Sequence, residues 1–430
     1  MNRKAKFALA LLVLTTALAL ADDWPQFRGP RRDGVWRETG LIEKFDGTEI
    51  KAVWRVPISN GYSSPTVANG RVYAMDRLVE PGEQERVLCF DEKSGKPLWA
   101  HAYPCVYKGI GYPDGPRASV TVYEGRAYSI GSTGHVHCLD ATTGKLLWQH
   151  DGLAEYQARI PDWGVAADPF IDGDNVIIHF GGIGACVVAF DRKTGQERWR
   201  ALSDPASYAA PLVINQAGQR VLVCWTADRV VGLDPQSGKL HWEQPFPRKM
   251  WPIGIATPVL SGERLFITSA IDGALMLRLP TDRLAAEKLW QRRGPTDRVT
   301  DALHSLIATP LFLGDHLYGI DANGELRCLD AKTGDRLWEN LTASRQGKFA
   351  NAHLVQNGDR TWIFNDLGQL VIAKLTSKGY EELSRAQLIK PTRGQLNERD
   401  GVCWSPPAFA NRHVFARNDE ELVCASLEVR

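Results

Sequence analysis

The sequence predicts an all-β chain, an eight-bladed β-propeller of four-stranded antiparallel blades closed by an N-terminal strand. Three observations carry this expectation. An eleven-residue segment recurs without gaps at 89–99, 138–148, 189–199, 232–242 and 328–338. Its terminal Trp returns at intervals of 49, 51, 43, 48 and 48 residues once the weaker copy ending at Trp290 is included. That interval is the length of one four-stranded blade. A second pattern of short apolar runs and turn residues lies upstream of the copies.

Each element has a local reason. In the first copy Cys89 supplies a small residue, Asp91 and Ser94 can bond a turn backbone, Gly95 accepts a positive φ, and Trp99 ends the unit. The segment therefore reads as a turn joining the third strand of a blade to its fourth. A further copy, without Trp, passes through Gly379 and Leu383. Upstream, Thr66-Val67 precedes Gly70-Arg71-Val72-Tyr73, and Pro258-Val259 precedes Gly262. Such β-branched and aromatic runs are strands, and the Asn-Gly and Ser-Gly pairs between them are tight turns. Starting strands fall near Ser64, Ser119, Asp168, Ala210, Thr257, Thr309, Asn351 and Ser405, eight in all. The eighth unit lacks an outer strand. Residues 51–56 carry Trp54, 45 positions before Trp99, with no blade in front of it. They are expected to pair with 422–425 and remove the open sheet edge.

Composition narrows the class. The 430 residues carry a net charge of +1, with 23% charged and 44% hydrophobic residues, so no electrostatic footprint for nucleic acid exists. Arg3, Lys4 and Lys6 precede an apolar run at 7–20 broken only by Thr15 and Thr16, and Ala19-Leu20-Ala21 has the small residues of a cleavage site. Residues 1–21 read as a secretory signal cleaved near Ala21, with the mature chain starting near Asp22. The run is short for a transmembrane helix of ~20 residues. No Cys follows it, so a lipoprotein anchor is not expected. The chain divides into signal (1–21), leader (22–49) and propeller (50–430), and is expected to be a periplasmic or secreted monomer.

The repeated segment resembles the tryptophan-docking motif of pyrroloquinoline-quinone-like (PQQ-like) propellers, and the resemblance covers nearly all of 50–430. It implies that Trp54, Trp99, Trp148, Trp199, Trp242, Trp290 and Trp338 are structural, each packed between blades against the Gly and small residue of a neighbouring motif. The leader, Asp23-Trp24-Pro25-Gln26-Phe27-Arg28-Gly29-Pro30, resembles the start of exported propellers of planctomycete-type bacteria. Two better-understood groups share the architecture: quinoprotein alcohol dehydrogenases, and the propeller subunit of the outer-membrane β-barrel assembly machinery.

Cys89, Cys138, Cys328 and Cys424 share the small first slot and read as buried packing residues. Cys105, Cys186, Cys224 and Cys403 cannot be paired from the sequence. There is no adjacent Cys pair, no Cys-x-x-Cys and no haem-attachment motif. His135 and His137 face the same side of a strand. Without a third ligand they read as a solvated face.

The resemblance places any ligand at one mouth of the central channel, in the loops that enter the inner strands. Those loops hold Arg117, Trp163, Asp168, Tyr208, His304, Asn351 and Trp404. A PQQ cofactor with Ca²⁺ needs oxygen ligands and a carboxylate base. Only Asp168 and Asn351 can supply oxygen. The reading favoured is a non-catalytic scaffold that binds a protein or extracellular polymer, without cofactor. The alternatives are a PQQ/Ca²⁺-dependent dehydrogenase and a carbohydrate-binding sensor.

Overall fold

The computed structural model describes residues 22–251, 253–396 and 400–429; the segment read as an export signal lies outside them. Eight four-stranded antiparallel sheets form the ring. Blade one comprises Thr66–Ala68, Arg71–Leu78, Gln84–Asp91 and Pro97–Pro104. Blades two to seven repeat the pattern. The first strand of most blades has only three residues, and first strands of neighbouring blades lie against one another around the axis. Alternating strand direction puts the turns after strands one and three on one face. The hairpins after strand two and the connectors between blades share the other.

The repeated segment works as a joint between blades. The small residue in its first slot lies directly opposite the Trp across the third and fourth strands, as in Cys89↔Trp99, Cys138↔Trp148, Ala189↔Trp199 and Cys328↔Trp338, and a bulge follows each pair. The indole then reaches the turn of the next blade. Trp54 Nε1 donates to Glu92 O (2.8 Å), Trp99 to Ala141 O (3.2 Å), Trp148 to Arg192 O (3.1 Å), Trp199 to Pro235 O (3.2 Å) and Trp290 to Ala331 O (3.0 Å). The turn glycine is required twice over. Gly95 has φ +70°, and a Cβ there would sit 2.7 Å from the Trp54 ring. Two joints depart from the pattern. Trp242 donates to Gln216 Oε1 (2.9 Å), because blade five has no Asp-x-x-Thr-Gly turn to receive it. Trp338 donates to Thr376 O (2.8 Å), at the short hairpin of blade seven.

Ala52–Pro57 completes blade eight beside Ala408–Ala410, His413–Arg417 and Glu421–Ser426. The register is Trp54↔Cys424, Arg55↔Val423 and Val56↔Leu422, the pairing expected from the sequence. The leader does more than its sequence suggested. Trp24 exchanges two backbone hydrogen bonds with Val67 of blade one (2.9 Å each), and Gln356 of blade seven does the same with Gly34 and Trp36. Trp24 and Trp36 are buried, and the Trp36 ring packs on Trp362 (5.6 Å) and Phe409 (5.1 Å). The leader thus staples blades seven, eight and one across the closing seam.

All eight cysteines are free and buried, each in its own blade or loop. Native protein is therefore expected to leave Ellman's reagent uncoloured, with all eight thiols titrating in denaturant. Rapid reaction of any thiol in the native state would contradict this packing.

Candidate functional site

The connectors between blades converge on a cavity of about 480 Å³ at one mouth of the channel. Phe27 of the leader forms part of its lining, together with inner-strand approaches from several blades. Of the seven residues named from the sequence, the structure brings five to this cavity: Arg117, Trp163, Asp168, Tyr208 and Trp404. His304 and Asn351 do not reach it. His304 is wholly buried between Ala270 O (3.2 Å from Nδ1) and the Gly294 amide, which donates to Nε2 (3.2 Å). Asn351 Oδ1 accepts from the Ala308 amide (3.0 Å). Both fasten connectors to their blades, because a buried connector must satisfy its backbone.

The polar groups at the mouth serve the fold. Arg117 donates to Gly115 O (2.5 Å), Gly111 O (2.9 Å), Tyr112 O (2.6 Å) and Ser132 Oγ (3.2 Å), and its guanidinium lies over the Tyr62 ring (4.9 Å). It pins the loop that carries Tyr112. One Asp168 oxygen accepts from the Ser119 amide, and burial pushes its carboxyl up to about 6 against the opposing pull of Arg32. Trp163 meets Tyr208 edge to face (5.5 Å, 64°), and its amide donates to the Tyr208 hydroxyl (3.3 Å). Trp404 lies against Tyr112 (6.2 Å) and its amide donates to Gln395 Oε1 (2.6 Å).

Tyr62, Tyr112, Trp251 and Phe349 also line the cavity and escaped the sequence reading. They share a legible mark, since each is a large aromatic in a connector and outside every repeat slot. Phe27 carried no such mark, because nothing in the sequence places the leader under the channel.

Two other constellations have chemical groups without access. His137 is buried rather than solvated, as its ring packs on Tyr103 (4.2 Å) and His101 (5.1 Å) of the neighbouring blade, and burial pushes its imidazolium down to about 3. Cys186 Sγ lies 3.2 Å from His179 Nε2, but both are buried, burial raises the thiol well above its ordinary value, and the nearby Asp204 is held by Arg229 (2.7 Å). Burial of both groups leaves the pair without an open approach.

The described lining offers the oxygens of Asp168, Asp297 and Asn323, of which Asp168 is taken by the Ser119 amide and Asp297 by Lys348. Of the two oxygen ligands considered, only Asp168 faces the cavity, and it is already bonded to Ser119. Among the described residues no three His, Cys, Asp or Glu side chains group to hold a metal ion. Arg117 has its donors on carbonyls, so it offers little to an anionic cofactor.

Comparison with known proteins agrees with this architecture. A family model of PQQ-like repeats, described as outer membrane protein assembly factor BamB, matches residues 38–210 and 184–428. The chain belongs to this family. Among its curated relatives, the assembly factor BamB of Burkholderia pseudomallei is 25% identical over 245 residues, covering 54% of this chain and 57% of that one. The 1-butanol dehydrogenase (quinone) of Thauera butanivorans is 33% identical over 151 residues, covering 30% of this chain and 23% of that enzyme. The alignments thus span little more than half of the first and under a quarter of the second. The quinohemoprotein alcohol dehydrogenase of Comamonas testosteroni superposes with a TM-score of 0.65 at 13% identity, covering 95% of this chain and 81% of that one, a likeness of fold alone. The relatives thus include both an outer membrane protein assembly factor and a quinone-dependent dehydrogenase. No described helix is long and apolar enough to cross a membrane.

Proposed function

We propose that this chain is a non-catalytic periplasmic or secreted scaffold whose channel mouth docks a protein partner, in the manner of an outer-membrane assembly propeller. One observation carries the reading. Arg117 and Asp168 are engaged within the fold, the half-exposed Lys348 and Asp297 pair with one another (3.4 Å), and the rest of the described mouth presents mainly aromatic and aliphatic surface. Trp251 lines the cavity, and other exposed apolar groups share its face. Ile183 (90% exposed), Met250 (62%), Trp251 (48%) and Val299 (60%) stand on the hairpins and connectors of the same face. Large exposed apolar groups gathered around a cavity mark an interaction site.

A photo-crosslinking residue at Trp251, in cells of the native host, tests the proposal. The expected adduct contains a component of the outer-membrane assembly machinery, identified by mass spectrometry. A control at Leu147, on the outer strand Leu146–Asp151 of blade two, is expected to give none. The same adducts from both positions would reject docking at the mouth. N-terminal sequencing of the protein from that envelope is expected to begin near Asp22.

The quinoprotein reading is tested by reconstitution with PQQ and Ca²⁺ and a panel of alcohols and aldoses. No cofactor-dependent turnover is expected. Saturable turnover would overturn the scaffold reading.

A further inference from the structure

The channel has a second end, on the face of the turns after strands one and three, opposite the mouth. A cavity of about 730 Å³ lies there, between the leader and the first strands of blades three to six, Phe170–Asp172, Leu212–Gln216, Val259–Ser261 and Leu311–Leu313. Two features of its wall select the same kind of occupant.

The first is a set of open strand edges. Val67 of blade one faces Val72 across its own hairpin, in the register where N–H and C=O are turned away from the sheet, and both bond to Trp24 of the leader. Gln356 of blade seven, facing Thr361 in the same register, bonds to Gly34 and Trp36. In blade two the Val122 amide donates to Pro25 O (2.8 Å). The pairs Ile171↔Val176, Leu260↔Leu265 and Phe312↔Leu317 hold this slot in blades three, five and six, and Ile171, Leu260 and Phe312 all line the cavity. Their N–H and C=O groups are turned away from their sheets as those of Val67 are, yet among the described residues no hydrogen bond reaches them. The leader shows what fits such a slot, an extended peptide, and it leaves these three open.

The second feature is charge. The lining holds Arg28, Arg31, Arg32 and Arg220 against Asp33 and Asp172. Both carboxylates are matched already. Asp172 pairs with Arg220 and accepts from Gln236 Nε2 (3.1 Å), and Asp33 pairs with Arg37. Three leader arginines remain. Arg28 donates to the carbonyls of Arg32 (3.2 Å, from Nε) and Asp33 (2.9 Å, from Nη2), which fixes its guanidinium, while Nη1 has no partner and keeps accessible surface. Arg32 is held by Gln26 Oε1 (2.8 Å) and Pro169 O (2.7 Å), over the Phe170 ring (4.7 Å). Arg31 is exposed and, among the described residues, has no hydrogen-bond or ion-pair partner. Burial lowers the guanidinium groups of Arg28 and Arg32 to about 10, and the charges of Asp33 and Asp168 offset only part of that. Positive charge gathered on the wall of a cleft attracts carboxylates. The first 21 residues of the chain carry Arg3, Lys4 and Lys6 and no acid, so they are not the complement. A small anion would answer the arginines and leave the edges bare. An acidic peptide answers both.

We propose that this end of the channel takes an extended acidic segment of a partner protein as an added strand, its backbone bonded to the open inner edges as the leader's is at Val67, and its carboxylate on Arg28 and Arg31. The site is separate from the mouth and does not depend on what docks there.

The test uses the purified chain from Asp22 and a dye-labelled peptide, acetyl-Thr-Val-Glu-Val-Thr-amide, followed by fluorescence anisotropy. The Gln analogue of the peptide is expected to bind at least about tenfold more weakly, and so is an analogue N-methylated at both valines, which cannot pair as a strand. Arg31→Gln is expected to weaken the Glu peptide roughly three- to tenfold. Leu260→Glu places a like charge beside the open edge, at a position 37% exposed, and is expected to weaken it at least about tenfold. Urea midpoints matching the wild type show that both variants are folded, and Arg31→Gln alone decides the point if Leu260→Glu is not.

Equal binding of the Glu and Gln peptides would remove the carboxylate from the proposal and overturn it. Equal binding of the N-methylated peptide overturns the added strand. Unchanged affinity in Arg31→Gln and Leu260→Glu places the peptide elsewhere. Tighter binding of inorganic phosphate or of a polyuronate than of the Glu peptide, or no binding of the peptide, also overturns it.

Discussion

A chain beginning at Gly61 is expected to lose the cooperative melting transition of the mature protein, or to aggregate on expression. The truncation removes Ala52–Pro57 and bares the Glu421–Ser426 edge, an open template for pairing with other chains. It vacates the cradle at Gly95, leaves the Glu92 carbonyl without its indole donor, and takes away Trp24 and Trp36 from the core under blades seven, eight and one. The single substitution Trp54→Ala isolates the joint itself. Truncating a buried Trp costs about 3–5 kcal/mol. Urea denaturation of the mature protein and of Trp54→Ala measures this directly. Trp148→Ala, at a joint between two continuous blades, is expected to cost a similar amount. A Gly61 chain that melts with the intact protein would show that the ring does not depend on its closing strand.

The ring was legible because its joints repeat. Each copy places a small residue, a turn and a Trp at fixed spacing, and a fixed spacing survives wide variation elsewhere. Closure was legible for the same reason, since Trp54 stands one repeat before Trp99 with no blade to own it. The leader was not legible. Its bonds to Val67, Gly34-facing Gln356 and Gln387 are backbone bonds, which leave no trace in side-chain pattern. The two irregular joints show the limit from the other side. Trp242 keeps its slot, yet its partner Gln216 lies at the end of a first strand, where the motif has no position.

The site was legible in part, and for a physical reason. Proximity to the start of an inner strand picked Arg117, Trp163, Asp168, Tyr208 and Trp404, which line the cavity. The same criterion also took in His304 and Asn351, because a connector that dives toward the axis needs polar side chains to satisfy its own amides. Distance from the axis and direction of the side chain are tertiary properties. Off-repeat aromatics such as Tyr62 and Phe349 would have been the better guide, since a large ring in a connector has no packing slot in the repeat to explain it.

The second large effect concerns pH. Asp114 and Asp419 face one another beside the pocket, between the loop of Tyr112 and the segment leading to Trp404. Asn60 donates to Asp114 Oδ1 (2.6 Å), while Thr392 Oγ1 (2.5 Å) and the Gly394 amide (3.0 Å) donate to Asp419 Oδ2. The remaining oxygens, Asp114 Oδ2 and Asp419 Oδ1, are buried without another donor. Arg417 is close, but it donates to the carbonyls of Met75 (2.6 Å) and Ser59 rather than to either carboxylate. Burial first, and then the charge of Asp419, push the Asp114 carboxyl from 3.8 up to about 7. The folded state therefore holds a proton that the unfolded chain releases near pH 4. Stability from this pair is fully present below that value and is lost as pH rises through about 7. At about 1.4 kcal/mol per unit, and discounted for the partly exposed side of Asp114, the loss is on the order of 2–4 kcal/mol. Asp114→Asn keeps the size, removes the like charge and can donate to the Asp419 carboxylate. The variant is expected to be more stable than the wild type at pH 8 and to have a flatter profile from pH 5 to 8. Asp168, also raised, is common to both chains and cancels in the comparison. Urea midpoints at pH 5, 6, 7 and 8 decide it. Parallel profiles for the two chains would mean that no proton is shared between Asp114 and Asp419.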